Sequence, residues 1–338
     1  MTIKDIARES GFAVGTVSRV MNNHPDVSDA TRAKVMKVVN KYGFVLNVNA
    51  KRLKMQDRKT IVIIVKGTMS ILLNSLLERV LKKIEDSPYN ASVIFVDEYD
   101  NEASRAKTVF YEEKPIGFIF LGGSPDWFKD DFSVIEVPCV IISNRADNVE
   151  SDNLSSVSTD DFEASKAISS LLISNGHKKI GVIGGDLKTS EMTRRRYNGF
   201  LSAMAESHLE FNEERGYVTA KYSMEGGFNA AEKLLQNCPG VTAIFTMADV
   251  MAFGVIRKLA DMKRRVPEHI SVTGFDGLLS GEYFCPRLTT VQQPLDELVD
   301  KGYSLLIDCI EKKRKAEHIF LPCKIISGES VALNATQS

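Results

Sequence analysis

The 338-residue sequence has no apolar run approaching the roughly 18 residues needed to cross a bilayer, which excludes a helical membrane span. Its opening Met1-Thr2-Ile3-Lys4-Asp5 carries no apolar signal core, so a cytoplasmic location is expected. Cysteine is sparse: Cys139, Cys238, Cys285, Cys309 and Cys323 form no C-x-x-C pair and no metal-ligand spacing. They read as buried, reduced thiols, and neither a metal nor a cofactor is expected. No G-x-G-x-x-G follows the first apolar strand, and Gly184-Gly185-Asp186 lacks the spacing for one. A P-loop and a G-x-S-x-G elbow are also missing. These absences leave no catalytic residue to name and argue against an enzyme.

The near-zero net charge of −1 hides an uneven distribution. Residues 1–60 carry twelve Lys and Arg against five Asp and Glu, a net of +7, and the remainder carries a net of −8. A small basic block ahead of a larger acidic body suits a nucleic-acid-binding arm on a regulatory domain.

Within the basic block, Thr2 is a possible N-cap for a first helix that places Ile3, Ile6 and Ala7 on one face. Gly11 ends it. A second helix follows with Val14, Val17, Val20 and Met21 apolar and with Thr16, Ser18, Arg19 and Asn22 outward. Two short helices about a glycine turn are a helix-turn-helix signature. A third helix opens after Ser28, packs through Ala33, Val35, Met36, Val38 and Val39, and stops at Tyr42-Gly43-Phe44.

The strings Thr2-Ile3-Lys4-Asp5-Ile6-Ala7, Thr16-Val17-Ser18-Arg19-Val20-Met21-Asn22, Val27-Ser28, Thr31-Arg32 and Tyr42-Gly43-Phe44 occur in one order. Together they closely resemble the headpiece of the LacI/GalR family of bacterial transcriptional regulators. The resemblance implies that the second helix enters the major groove, with DNA contacts at Thr2, Val14, Gly15, Thr16, Ser18, Arg19 and Asn22. Ser28, Thr31 and Arg32 would meet phosphate at a helix N-terminus, or Ser28 and Thr31 would simply cap it. Two departures matter. Ala13 stands where a serine often caps the second helix, forfeiting about 1 kcal/mol. Val14 and Gly15 occupy the positions that read bases most variably: valine can touch only a thymine methyl and glycine has no side chain, so simpler reading of the outer operator bases is expected.

Residues 47–58 are short, basic and almost without an apolar face, so an isolated helix there would be marginal. The resemblance implies a hinge that folds on DNA beside its twin in a second subunit. Leu53 would wedge into the minor groove, with Asn47, Ala50 and Lys54 alongside it on the DNA.

From Thr60 onward, apolar strands alternate with helices. Strands are expected at 61–65, 92–96, 117–121, 140–143, 180–184, 243–247 and 271–274, with helices at 72–84, 163–175, 191–205, 226–236 and 251–262. This alternation predicts an α/β fold with doubly wound parallel sheets in two similar subdomains, seamed near 151–158. Anchors such as Ser174-Asn175-Gly176-His177, Pro267 with Gly274-Phe275-Asp276, and Leu288-Thr289-Thr290-Val291 resemble the periplasmic-binding-protein-like core of the same family. The expected organisation is a helix-turn-helix headpiece at 1–46, a hinge at 47–58 and a core at 59–338. Within the core, one subdomain covers about 59–157 and 295–317, the other about 158–291 and 318–332.

In open parallel sheets, ligands bind beyond the carboxyl ends of the strands. That places an effector among Gly67, Thr68, Leu72, Leu73, Gly122, Gly123, Asn144, Arg145, Asp160, Asp161, Arg196, Asp249 and Asp276, in a cleft that closes by hinge motion. The resemblance implies that Arg196 and Asp276 hold a polar effector, a sugar or sugar phosphate. Alternatives remain for several positions: Arg194-Arg195-Arg196 could be one solvated helix face, and Asp276 and Asp249 could cap turns or helices. Trp127 could be core or rim, and His177 suits a structural place between a helix and a strand. Leu72-Leu73 replaces the aromatic pair that many family members stack on a pyranose, and Ala248 replaces a common asparagine, which leaves fewer polar contacts.

The reading that results is a dimeric, effector-controlled regulator, most simply a repressor, on double-stranded pseudo-palindromic operator DNA. A transport-type binding protein, the competing class, would need export and would have no use for residues 1–58.

Overall fold

The computed structural model describes residues 3–21, 26–42, 59–67, 70–97, 100–129 and 132–334. The chain divides into two compact units between Arg58 and Lys59. Expectations that fall on Thr2, Asn22, Gly43, Phe44, Thr68 and the hinge at 47–58, including Asn47, Ala50, Leu53 and Lys54, lie outside the described residues.

The first unit contains α1 (Ile3–Ser10), α2 (Val14–Met21) and α3 (Asp29–Tyr42). Their apolar stripes meet in one small core of Ile6, Ala7, Val17, Val20, Val35 and Val39, with Phe12, Met21, Val27, Met36 and Val38 around it. Ala33 is exposed and not part of that core. The turn between α1 and α2 passes through Gly11 at φ +73°, a left-handed conformation that glycine adopts without steric cost. Tyr42 Oη donates to Glu9 Oε1 at 2.7 Å and joins α3 to α1.

The second unit contains two six-stranded sheets. Its strands are β1 (Thr60–Lys66), β2 (Asn90–Val96), β3 (Gly117–Leu121), β4 (Cys139–Ser143), β5 (Leu154–Thr159), β6 (Ile180–Gly184), β7 (Tyr217–Thr219), β8 (Ala243–Thr246), β9 (Ser271–Asp276), β10 (Thr289–Gln292), β11 (His318–Leu321) and β12 (Lys324–Ile326). Between them run α4 (Ile71–Glu85), α5 (Glu102–Glu113), α6 (Asp161–Ser174), α7 (Glu191–Glu206), the short α8 (Glu213–Gly216), α9 (Met224–Asn237), α10 (Asp249–Asp261), the short α11 (Ser280–Tyr283) and α12 (Leu295–Lys312). The orders are β11-β5-β4-β3-β1-β2 and β12-β10-β9-β8-β6-β7, parallel except for the β10–β12 pair.

Both faces of each sheet are covered, which is why β1 reads as an unbroken apolar run. Ile61, Ile63 and Val65 enter one core and Val62 and Ile64 the other. The strands of the second lobe's sheet divide in the same way between two clusters.

Two boundaries differ from the sequence expectation. Leu154–Thr159 is a strand of the first lobe and not a seam. His318–Leu321 pairs with that strand, so the chain returns to the second lobe only after Leu321. The three crossings between lobes, after β5, β10 and β11, leave from neighbouring strands at one edge of each sheet.

Helices of the second lobe pack backbone to backbone where glycine allows it. A Cβ on Gly254 of α10 would sit 1.9 Å from the Met224 carbonyl oxygen, and one on Gly227 of α9 would sit 2.1 Å from that of Met251. Gly199 plays the same part between α7 and α6, where a Cβ would meet the Phe162 carbonyl at 2.2 Å.

Of the cysteines, Cys139 and Cys309 are buried as expected, but Cys285 is exposed and Cys238 and Cys323 are half-buried.

Candidate functional site

On the headpiece, burial of Val17 and Val20 turns the opposite side of α2 outward. Val14 is 41% exposed, Gly15 and Arg19 are exposed, and Thr16 and Ser18 are half-buried. Ala13 supplies its carbonyl to Thr16 and Val17 N–H at 2.9 and 3.1 Å but has no side chain to cap the helix. Ser28 does cap α3: its hydroxyl accepts from Thr31 N–H at 3.4 Å and donates to Thr31 Oγ1 at 2.9 Å. Arg32 Nη1 reaches the Val20 carbonyl at 3.5 Å, tying the start of α3 to the end of α2.

In the core, the two lobes meet at Asn148–Glu191, Asp126–Arg194 and Leu72, and the buried cation at the strand ends of the second lobe is Arg196. Successive residues on a helix are turned by about 100°, so the three arginines of α7 go three ways. Arg194 donates to the Leu187 and Lys188 carbonyls, Arg195 pairs with Glu191 at 2.7 Å, and Arg196 points inward with 3% exposure. Its Nε donates to Asp161 Oδ1 at 3.0 Å and its Nη1 to the Met247 carbonyl at 2.5 Å. Nη1 also lies 3.7 Å from Asp276 Oδ1, and the guanidinium stacks 3.7 Å from the centre of the Phe275 ring.

Asp276 ends β9 at φ +120°, a left-handed conformation that an L-residue seldom adopts. Gln293, in the crossing after β10, donates Nε2 to Asp276 Oδ1 at 2.8 Å. Burial pushes the Asp276 carboxyl up to about 7, against the pull of the Arg196 charge and the Gln293 hydrogen bond. Burial likewise raises Asp161, with Arg196 opposing.

The folded protein therefore holds the Asp276 proton over a range where the unfolded chain has released it. The stability this contributes is complete in acid and is lost as pH rises through about 7. The melting temperature of wild type relative to Asp276→Asn should accordingly fall between pH 5 and pH 8, and a pH-independent difference would refute the assignment.

The other expected positions divide. Asp160 caps α6, accepting from Phe162 and Glu163 N–H. Asn144 Nδ2 donates to the Gly123 carbonyl at 2.7 Å, and Arg145 forms a two-pronged pair with Asp147 at 3.0 and 2.7 Å over the Phe320 ring. Gly122, at φ +76°, lies against Leu73, and Leu73 itself is buried in the core of the first lobe. Leu72 packs across the cleft on the apolar cluster of the second lobe. Asp249 is 0% exposed and is committed internally: Oδ1 accepts from Thr290 Oγ1 at 2.5 Å and Oδ2 from Leu278 N–H at 2.6 Å. It braces α10 to the ends of β9 and β10 and is neither a free cap nor an exposed ligand group. Burial and the charge of Asp276 hold it well above the usual carboxylate range.

His177 bridges Thr242 Oγ1 and the Ala332 carbonyl in a structural place, and Trp127 lies 43% exposed on the rim.

Asp161, a strand-end candidate from the sequence, lies in this group, and so does Gln293, which the sequence offered only within the Leu288–Pro294 anchor. Two contacts bridge the lobes at the rim: Asn148 Nδ2 donates to Glu191 Oε2 at 3.1 Å, and Arg194 lies 3.7 Å from Asp126. Both are solvent-accessible and individually worth little. Inside, Lys66 and Glu102 form a buried pair at 2.7 Å, and Glu102 also accepts from Ser124 N–H, which fixes the loop after β3. Among the described residues no cluster of His, Cys, Asp and Glu could hold a metal ion, and no helix is long and apolar enough to cross a membrane.

Residues 2–47 match the family described as bacterial regulatory proteins, lacI family, and residues 170–331 match the periplasmic binding protein-like domain. The transcriptional regulator MalR of Clostridium butyricum is 31% identical across 98% of this chain and 99% of its own length. Among solved structures, a LacI family transcriptional regulator from Enterococcus faecium with bound ribose is 25% identical, covers 82% of this chain and 100% of its own, and gives a TM-score of 0.69. The lac repressor dimer bound to operator and an anti-inducer gives a TM-score of 0.74 over 98% of this chain and 99% of its own, at 20% identity.

Proposed function

Since this chain belongs to the lacI family of bacterial regulatory proteins, we propose that it represses transcription as a dimer on a pseudo-palindromic operator, under control of a carbohydrate effector bound between the lobes of the core. As a member of a family of transcriptional regulators it is a DNA-binding protein and not an enzyme. The observation that carries the effector reading is the buried Arg196–Asp276 pair, held at the strand ends by Asp161 and Gln293 where a ligand would meet both lobes. A ligand that prefers the closed cleft shifts the equilibrium between lobe arrangements, and linkage then alters operator affinity. The bound ribose of the Enterococcus faecium relative favours a sugar.

A thermal-shift screen of sugars tests this reading, because a ligand bound by the native state alone raises its melting point. No shift with any sugar, alongside intact operator binding, would remove the effector claim. For the DNA side, Arg19→Ala is expected to weaken operator binding by about tenfold or more, the loss of about 1–3 kcal/mol typical of a base contact. The same affinity in both proteins at several salt concentrations would remove Arg19 from the interface. A second copy is favoured by Leu279 and Tyr283, which stand 68% and 81% exposed around α11. A monomer in sedimentation at micromolar concentration would overturn the dimer. With that reading, a cytoplasmic location follows for a protein that acts on DNA.

A further inference from the structure

We propose that the cleft is a charge filter that admits an uncharged, hydroxyl-rich ligand and excludes anionic ones, and that Asp161 is the residue that sets this selectivity. The proposal rests on the reading of the cleft as an effector site and narrows it from sugars and sugar phosphates to neutral sugars.

Helix N-termini facing a cleft are ordinarily good anion sites, since free N–H groups and the dipole both favour negative charge. Here the protein's own acids already take those places. Asp160 caps α6 and Asp161 opens it, Asp249 opens α10, Glu191 opens α7 and Glu102 opens α5. Only α4 has no acid in its first turn among these helices, and there Leu72 packs across to the other lobe.

The buried guanidinium of the site is also largely engaged. A phosphate or carboxylate is best held by two parallel N–H groups of a guanidinium. Arg196 donates Nε to Asp161 and Nη1 to the Met247 carbonyl, Asp276 Oδ1 lies 3.7 Å from Nη1, and Nη2 makes no hydrogen bond among the described residues. An anion would meet one free nitrogen of the guanidinium, Nη2, with Asp161 and Asp276 beside it.

The remaining polar atoms are acceptors. Gln293 Oε1 is buried with no partner among the described residues, and Asp276 Oδ2 receives no donor there. Unfilled acceptors beside a single free guanidinium nitrogen call for a ligand with several O–H groups and no negative charge. Asp161 decides the balance because it both cancels the Arg196 charge and occupies its Nε. Tyr222, whose hydroxyl is bonded to Thr193 at 2.9 Å, adds no positive charge.

Sulfate is the direct probe, since its charge does not change across the working pH range. In calorimetric titration at pH 7.5, the full-length wild-type protein is expected to bind no sulfate. Asp161→Asn is expected to gain affinity for it by about tenfold or more, because one negative charge beside the guanidinium is gone. If that variant does not fold, Asp276→Asn carries the same expectation. Sulfate bound equally by wild type and variant would overturn the filter, as would variants that fold and gain nothing.

A panel of neutral pentoses, hexoses and disaccharides with their phosphates and uronates separates this claim from the one beneath it. A sugar phosphate bound more tightly than its neutral parent removes the filter and leaves the effector cleft. Sulfate admitted only by the variant, with no sugar bound, supports the filter and removes the carbohydrate reading.

Discussion

Replacing Arg196 by methionine is expected to abolish the response to effector and to destabilise the core by about 3–5 kcal/mol, the usual cost of leaving a buried charge without its partner. Methionine approximates the volume but leaves Asp161 and Asp276 buried together without their cation and the Met247 carbonyl without a donor. Both carboxyls already ionise above their ordinary range, so in the variant they would take up protons instead of remaining as a pair of charges. The destabilisation should therefore be smaller at pH 5.5 than at pH 8. Urea unfolding at the two values measures it, and equal losses at both would show that packing, not charge, is what the arginine supplies.

The second large effect is expected in packing. Gly254→Val should lower stability by about 3 kcal/mol or more and leave much of the protein insoluble, because the clash is with backbone and not with a side chain that can turn away. A Cβ at this position already falls 1.9 Å from the Met224 carbonyl oxygen and 2.6 Å from Phe228 N, so α9 and α10 would have to part. Parting them opens the cluster that includes Met251, Phe253 and Val255. Circular dichroism melts of the purified variant measure the loss, and a melting temperature within a degree or two of wild type would contradict the close approach described above.

The fold was legible wherever burial leaves a repeating pattern. The run Ile61–Val65 could only be a strand covered on both faces, and the stripes of α1 to α3 named most of their own core. Leu154–Thr159 shows why the rest was hidden. Ser155, Ser156, Ser158 and Thr159 are buried, and polar residues in such a run read as a loop. Their burial is tolerable because residues 162 positions away satisfy some of them: Ser155 Oγ accepts from Glu317 N–H, and Ser156 Oγ is bonded to His318 Nδ1.

Asp161 was visible as a strand-end candidate, but its burial was not. An acid in the first turn of a helix is ordinarily a solvated charge that favours the dipole, and only the arrival of Arg196 from α7 makes it an interior group. Asp276, ending an apolar strand, was visible because strand ends are where sheets present ligands. Asp249 shares that kind of position yet turns inward, since Thr290 and the Leu278 N–H take both of its oxygens.

The three crossings after β5, β10 and β11 act mechanically as a spine. Pins that leave from adjacent strands at one edge resist sliding and twisting and leave a single soft angle, that of a book. The free edge of the first lobe is β2, four strand spacings of about 4.8 Å from β5, so the lever is roughly 19 Å long. A swing of about 10° moves that edge by about 3 Å while atoms near the spine shift only a fraction of this. Gln293 lies on the spine and holds Asp276, so the effector proposed for this site would act at the short arm of the lever. Sub-ångström adjustments there would be magnified into displacements as long as a hydrogen bond at the far side of the lobe.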